Sequence, residues 1–337
     1  MNISVIIPCY NAASWLPKTI SIICLALDEA DIKKAEIIVI DDGSMDNSAD
    51  VARGIKENYP VKVISQKNQG RLMARKKGLS VAKYDFVLLI DTRVYINKSA
   101  LKYVKENISK HPDRLVWTSH VYIDKKGNLY ARFWDAITFL AWRKYFKSPR
   151  FMQFGTKNFD LYPKGTTCLF IKKDIFASAV DWYINTHPGH SGDSNDDTSI
   201  LRKIAENNMI NISPRYSSIY HSRDNMNHYI KHVYHRGKVF VDGFLNKETI
   251  YFFPIILFLI FSIPALILFI FALFQYTFVT IVAIVCLFAL LIMTIRALGV
   301  IWADTFSFVT ILPIFVFSYG IGIWKASLTK LTKAIRQ

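Results

Sequence analysis

Short apolar runs alternate with polar, helix-length stretches over the first part of the chain, and the rhythm changes completely near residue 250. Ser4–Ile7 reads as a strand, followed by a helix over about Ala13–Leu27 and a second strand at Glu36–Ile40. A helix over about Ser48–Asn58 comes next, with Asn47 as its expected cap. Strand Val61–Ser65, helix Arg71–Ser80 and strand Phe86–Ile90 complete the run. Strands separated by single helical segments predict a mostly parallel sheet with right-handed crossovers. In such sheets ligands collect beyond the carboxyl ends of the strands. Two acidic turns fall there, Asp41-Asp42-Gly43-Ser44 and Asp91-Thr92-Arg93. Taken alone, either turn is an ordinary use of Asp and Gly to reverse the chain.

The last quarter is apolar. Tyr251–Phe274 and Thr277–Ile295 each reach the roughly 20 residues needed to cross a bilayer. Only Gln275 and Tyr276 separate them, which predicts an antiparallel hairpin. A third apolar segment, Phe306–Trp324, either spans or re-enters. Three crossings would leave Lys325, Lys330, Lys333 and Arg336 on the far side from the N-terminal domain, against the positive-inside tendency, so two crossings are favoured. The stretch Ala131–Phe146 carries aromatics at helical spacing with Arg132, Arg143 and Lys144 among them. It fits either an interfacial helix or an ordinary core helix.

These patterns divide the chain into four parts: an α/β domain over 1–225, a basic amphipathic connector over 226–250, a membrane region over 251–324 and a basic tail over 325–337. The first apolar run is strand-sized and lacks a basic leader, so no secretory signal is expected and the α/β domain is expected on the cytoplasmic side of the plasma membrane. The formal charge of +16, from 42 Lys and Arg against 26 Asp and Glu, suits anionic membrane lipids. No nucleic-acid-binding module is recognisable. Cys9, Cys24, Cys168 and Cys286 lack any close pairing or metal-ligand spacing and read as buried thiols.

Four segments in register carry more information than any one of them. Val5-Ile6-Ile7-Pro8-Cys9-Tyr10-Asn11, Ile38 to Ser44 with Asp46, Asn68-Gln69-Gly70 with Ala74, Arg75 and Gly78, and Leu88-Leu89-Ile90-Asp91 resemble the successive signatures of family 2 glycosyltransferases with the GT-A fold. The resemblance is strong over 3–95, looser over 160–240 and only architectural beyond 250. It implies a nucleotide-sugar donor, a UDP-sugar by default, held by Pro8, Tyr10, Asn11, Asp41, Asp42, Ser44, Gly70, Arg75, Asp91 and Arg93, with the two carboxylates of the first acidic turn on base and ribose.

The same resemblance implies a divalent ion, Mg2+ or Mn2+, on an Asp-x-Asp turn. This chain departs from that pattern, with Arg93 in the second acidic position. Either Asp91 and a late histidine, His221, retain the ion, or Arg93 replaces it on the diphosphate. Transfer to a hydroxyl also needs a base. Asp196 and Asp197 open a helix after the polar segment Gly192–Asn195. They resemble the family's Glu-Asp pair, with Asp197 in the base position, although Asp at a helix start is also a good cap. Direct attack would make the enzyme inverting.

Arg236 and Lys238 are candidate phosphate contacts for the donor or a lipid acceptor. The Gln-x-x-Arg-Trp motif of processive synthases is absent from that region. The implied activity is transfer of a sugar to a lipid-linked or cell-surface glycan hydroxyl. A polyprenyl-phosphate sugar synthase is the alternative, though a phosphate acceptor would need no base, and an inactive sugar-nucleotide-binding scaffold is a third.

Overall fold

The computed structural model describes residues 1–187, 196–245 and 251–336, which cluster into two units. The first comprises Met1–Asp124 and Trp142–Ser222, the second Lys125–Ala141 and Arg223–Gln337.

The first unit begins with β1 (Ile3–Cys9), α1 (Leu16–Glu29), β2 (Ala35–Asp41), α2 (Ser48–Gly54), β3 (Val61–Ser65), α3 (Arg71–Val81) and β4 (Phe86–Ile90). It continues through β5 (Val94–Ile96), α4 (Ala100–Lys110), β6 (Val116–Thr118) and β7 (His120–Ile123). After α5 (Leu129–Ala141), which belongs to the second unit, come α6 (Arg143–Phe146), β8 (Met152–Phe154), a 3-10 helix over Thr156–Leu161 and β9 (Cys168–Lys172). The unit closes with α7 (Lys173–Thr186), α8 (Asp196–Ala205), β10 (Ile210–Ile212) and β11 (Ser217–Tyr220).

Eight strands form one sheet in the order β3-β2-β1-β4-β9-β6-β10-β8, and β5-β11-β7 form a second. The first four strands are parallel, as the alternating pattern predicts. Beyond them β9 runs antiparallel to both β4 and β6, so the sheet is mixed. Strand residues face alternate sides. Ile3, Val5 and Ile7 of β1 pack with Ile20 and Leu27 of α1, while Ile6 packs on the other face with Ala74 of α3 and Phe176 of α7. Covered on both faces, β1, β2 and β4 read as nearly continuous apolar runs.

Three local expectations differ from what is seen. Asn47 makes no side-chain cap to α2; Asp46 does so, accepting from the Ser48 backbone N–H at 3.0 Å and from its hydroxyl. The same helix stops at Gly54 instead of continuing to Asn58. Glycine is a poor helix former, and the chain must turn there to bring the Pro60 carbonyl to the Ile37 N–H at 2.9 Å. Cys9, Cys24 and Cys168 are buried, but Cys286 on an apolar helix face is exposed.

The second unit contains α5, α9 (Met226–Phe244), α10 (Phe252–Gln275), α11 (Thr277–Ala297) and α12 (Trp302–Arg336). The helical pattern over 131–146 therefore splits at Trp142, α5 joining this unit and α6 the first. Among the described residues, three helices, over 252–275, 277–297 and 302–332, are long and apolar enough to cross a membrane. The third is one continuous helix that carries the basic residues of the expected tail on its own last turns.

Phe133 of α5 and Tyr229 of α9 pack with Phe308 and Ile311 of α12. Asp304, almost fully buried, takes Lys125 at 2.8 Å and Arg132 at 3.0 Å. Where α9 meets α12 the backbones nearly touch. A methyl group added at Gly237 would run into the Tyr319 carbonyl oxygen, and one at Gly322 into that of Tyr234.

Candidate active site

At the carboxyl ends of β1, β2 and β3 the chain makes three turns that lock onto one another. Asn11 leaves β1 with φ +48°, a left-handed conformation that asparagine tolerates better than most residues. Its N–H donates to Ser44 Oγ at 3.0 Å, and its Oδ1 accepts from the Met45 N–H at 2.8 Å. Gly43, at φ +73°, completes the facing turn; any Cβ there would sit 2.8 Å from the Asn68 backbone nitrogen. Tyr10 stands half-exposed at the rim.

The two carboxylates of the first acidic turn have different surroundings. Asp42 accepts from Gln66 Nε2 at 2.8 Å and from the backbone N–H groups of Gln69 at 2.9 Å and Gly70 at 2.8 Å. It therefore shapes the loop that leads into α3. Asp41 accepts from the Ser44 N–H at 3.2 Å. Both are buried.

The second acidic turn is joined to α8 by one arginine. Arg75, 1% exposed, donates through Nη2 to Asp91 Oδ1 at 3.0 Å and through Nη1 to Asp197 Oδ1 at 2.9 Å. Thr166 Oγ1 accepts from Nη1 at 2.6 Å, and the Thr166 carbonyl accepts from Nη2 at 3.2 Å. The Thr166 hydroxyl donates in turn to Asp197 Oδ1. Arg75 Nε is buried without a partner among the described residues. A buried guanidinium is tolerable only when its charge is compensated, and here two carboxylates do so.

Arg75, expected at the nucleotide, is thus enclosed by carboxylates from two distant segments. Thr166 and Arg71, neither legible as site residues from the sequence, belong to the same cluster. Arg71 Nη1 reaches the other oxygen of Asp91 at 3.3 Å. A single threonine in a strand-leading loop has no sequence signature, and Arg71 reads as an ordinary helix-surface cation.

Asp196 and Asp197 open α8, as expected, and the Asp197 N–H donates to Asp196 Oδ1 at 2.9 Å. The loop Gly192–Asn195 before them lies outside the described residues. Burial, then the negative charge of Asp197, pushes the Asp196 carboxyl up to about 6, against the pull of Arg75 and Arg71. Burial also acts to raise Asp197. The charges of Arg75 and Arg71, with hydrogen bonds from Thr166 and Arg75, outweigh it and hold that carboxyl below the usual range. At neutral pH Asp197 is therefore the firmly ionised member of the pair.

His221 follows β11 beside the second turn, its N–H donating to the Arg93 carbonyl at 3.0 Å. Its ring lies against Tyr95 and Trp15, with centroids 4.4 and 5.4 Å away. Nδ1 lies 2.9 Å from Asp124 Oδ2, and Nε2 is buried without a partner among the described residues. Arg93 stacks on the Trp15 ring at 4.8 Å.

These residues do not make a divalent-cation site. His221 Nε2 is a suitable donor atom, but both oxygens of Asp91 already carry guanidinium groups, and a hard cation would have to displace one. Among the described residues no three His, Cys, Asp or Glu side chains come together as a ligand set. Arg236 and Lys238 lie on α9 in the second unit. There Arg236 stacks on Trp134 at 5.1 Å, and its Nε meets His232 Nε2 at 3.2 Å.

The sequence profile described as glycosyl transferase family 2 matches residues 4–178, just over half of the chain. The chain belongs to that family. Poly-beta-1,6-N-acetyl-D-glucosamine synthases of Staphylococcus aureus strain COL and Staphylococcus epidermidis are 33% and 30% identical to it over 129 residues. Each alignment covers 38% of this family 2 glycosyltransferase and 30% of the relative, so the chain matches under a third of these proteins' length.

Among solved structures, TarS 1-349 of S. aureus in complex with UDP-GlcNAc has a TM-score of 0.49 at 16% identity, covering 72% of this chain and 67% of that one. The mannosyltransferase PcManGT of Pyrobaculum calidifontis, in complex with GDP-Man and Mn2+, also has a TM-score of 0.49, at 15% identity, covering 72% and 62%. The first unit of this family 2 glycosyltransferase, with its mixed sheet and turns gathered at the strand ends, is GT-A-like.

Proposed function

We propose that the chain transfers a sugar, with inversion, from a nucleoside diphosphate donor to a hydroxyl of a lipid-linked or cell-surface glycan. The observation that carries this reading is Arg75, which ties the strand-end carboxylate Asp91 and the helix-start carboxylate Asp197 into one buried cluster. The turns of Tyr10–Asn11 and Asp41–Ser44 form the donor side. Asp41 serves as the acceptor for the donor's base or ribose, and Asp42 holds the Gln66–Gly70 loop in shape for it.

On the acceptor side, Asp197 is the base. Arg75 and Thr166 both bond to its Oδ1, which fixes the carboxylate and leaves Oδ2 to meet the incoming hydroxyl. As the acceptor oxygen bonds to the anomeric carbon, its proton passes to Asp197, and the electron pair of the breaking bond stays on the diphosphate. A depressed pKa makes Asp197 a weak base, so proton transfer comes late, once the attacking oxygen has become strongly acidic. Asp196, buried beside that charge, ionises less readily.

The names of the staphylococcal relatives make N-acetylglucosamine the first sugar to try. Their polymer-forming activity is not carried over from an alignment of this length. At the plasma membrane, α10 and α11 form the crossing hairpin in this reading. Helix α12, partly covered by α5 and α9, keeps Lys325 and Lys330 on the cytoplasmic side with the catalytic unit.

The decisive experiment is Asp197→Asn in the full chain. Transfer from the accepted nucleotide sugar should fall by about 10²–10⁴-fold, the usual contribution of a general base, with nucleotide affinity within about twofold of wild type. Unchanged turnover removes Asp197 from the chemistry. Equal turnover with polyprenyl phosphate as sole acceptor, in both proteins, would instead favour transfer to an ionised phosphate.

A further inference from the structure

The two arginines on Asp91 differ in kind. Arg75 is enclosed, and its two Nη atoms make four hydrogen bonds. Arg71 has a side chain that is 55% exposed and, among the described residues, one 3.3 Å contact to Asp91 Oδ2. A long ion pair with a half-exposed arginine is weaker than the enclosed one made by Arg75. It exchanges readily for an anion that a guanidinium can grip with two parallel hydrogen bonds, as it grips phosphate. Asp91 would not be stranded by the exchange, because Arg75 stays on its other oxygen. Arg71 also opens α3, whose first turn contains no acidic residue to compete for it. Arg93, in the position where the resemblance implies a metal-binding carboxylate, is held on the Trp15 ring.

We infer that Arg71 swings from Asp91 onto the diphosphate of the bound nucleotide sugar and supplies there the positive charge that the family resemblance would assign to a divalent ion. This rests on the nucleotide-sugar reading above. In the reaction the bond between the anomeric carbon and the diphosphate oxygen breaks, and its electron pair stays on that oxygen. The acceptor oxygen takes over the carbon, and its proton goes to Asp197. Arg71 keeps all its protons throughout and only donates hydrogen bonds to the oxygens where charge builds up. No oxidant, reductant or further reactant is needed.

The test uses the full chain in detergent, stripped of metals and kept in EDTA. Binding of UDP, GDP, CDP and ADP is measured by calorimetry, and the tightest diphosphate is compared with its monophosphate. The expected result is diphosphate binding in EDTA that weakens about 10- to 100-fold in Arg71→Ala, the loss expected for a charge-assisted hydrogen bond, while monophosphate binding changes less than about threefold. Arg71→Lys should recover part of the loss, since the charge returns without the fork. Both variants should stay folded and lose less melting temperature than Arg75→Met, because Arg75 still compensates Asp91 and Asp197.

Diphosphate binding that appears only when Mn2+ or Mg2+ is added, or that is as tight in Arg71→Ala as in wild type, overturns the inference and leaves the nucleotide-sugar reading standing. If no nucleoside diphosphate binds with or without added metal, that reading falls too.

Discussion

Arg75→Met tests the cluster at its centre. Methionine roughly fills the space of the arginine stem but removes the charge that compensates Asp91 and Asp197. Breaking a buried ion pair by deleting one partner typically costs about 3–5 kcal/mol. Asp91 and Asp197 are 18% and 30% exposed, and Arg71 still reaches Asp91, so a loss nearer 2–4 kcal/mol is expected at pH 8. For a unit of this size that lowers the melting temperature by roughly 4–16 °C.

The pH dependence separates charge from packing. In the wild type Asp197 is held below its unfolded pKa, so its contribution is present above about pH 4 and fades as pH falls through the folded value. Without Arg75 that contribution is gone. Burial then acts on that carboxyl with less opposition and raises it. The gap between wild type and variant should therefore be large at pH 8 and shrink towards pH 4.5 as the carboxylates of the variant protonate. The assay is thermal unfolding of the full chain in detergent, followed by intrinsic fluorescence at both pH values. A gap that is the same at pH 8 and pH 4.5 would mean the loss is one of packing, and no gap at all would refute the idea that Arg75 compensates two carboxylates.

Two further outcomes follow from the structure. The Asp196 carboxyl, raised to about 6, makes folding most favourable below its unfolded value and costs stability as pH rises through about 6. Asp196→Asn should abolish that loss, worth at most about 3 kcal/mol, and flatten the melting temperature between pH 4.5 and 7; an unaltered pH profile would remove the assigned shift. In the second unit, Gly237→Ala places a methyl group against the Tyr319 carbonyl. Forcing α9 from α12 should cost about 1–3 kcal/mol, seen as faster proteolysis near α9, whereas Ala at the open position Gly54 should change little. Equal proteolysis of the two variants would show that the helices do not depend on this contact.

Much of the catalytic unit was legible along the chain because its signals are local. A strand covered on both faces must be apolar throughout, so β1, β2 and β4 could be located to within a residue or two. The turn after each strand announces itself through Asp, Asn and Gly. The same holds for α10 and α11, since an apolar run of bilayer length is rarely needed inside a water-soluble core. Asp196 and Asp197 at the start of α8 were also local, an acidic pair where a helix begins.

Partnership was not legible, because it depends on which side chains the fold brings together. Arg75 and Asp197 are 122 positions apart, and no spacing rule connects them. Nothing in the order of residues shows that Asp42 spends its oxygens on the chain's own loop, that Thr166 braces Asp197, or that Arg71 and Arg75 share Asp91. The split of the 131–146 helical pattern at Trp142 was equally hidden. Its periodicity records only that one side is buried, while the choice of unit depends on Phe133 meeting Tyr229 and Phe308. Sequence determined the elements and the chemical types at their ends, since backbone preference and burial act over a few residues. Tertiary structure decided the charge pairing, because electrostatic compensation depends on distance in space.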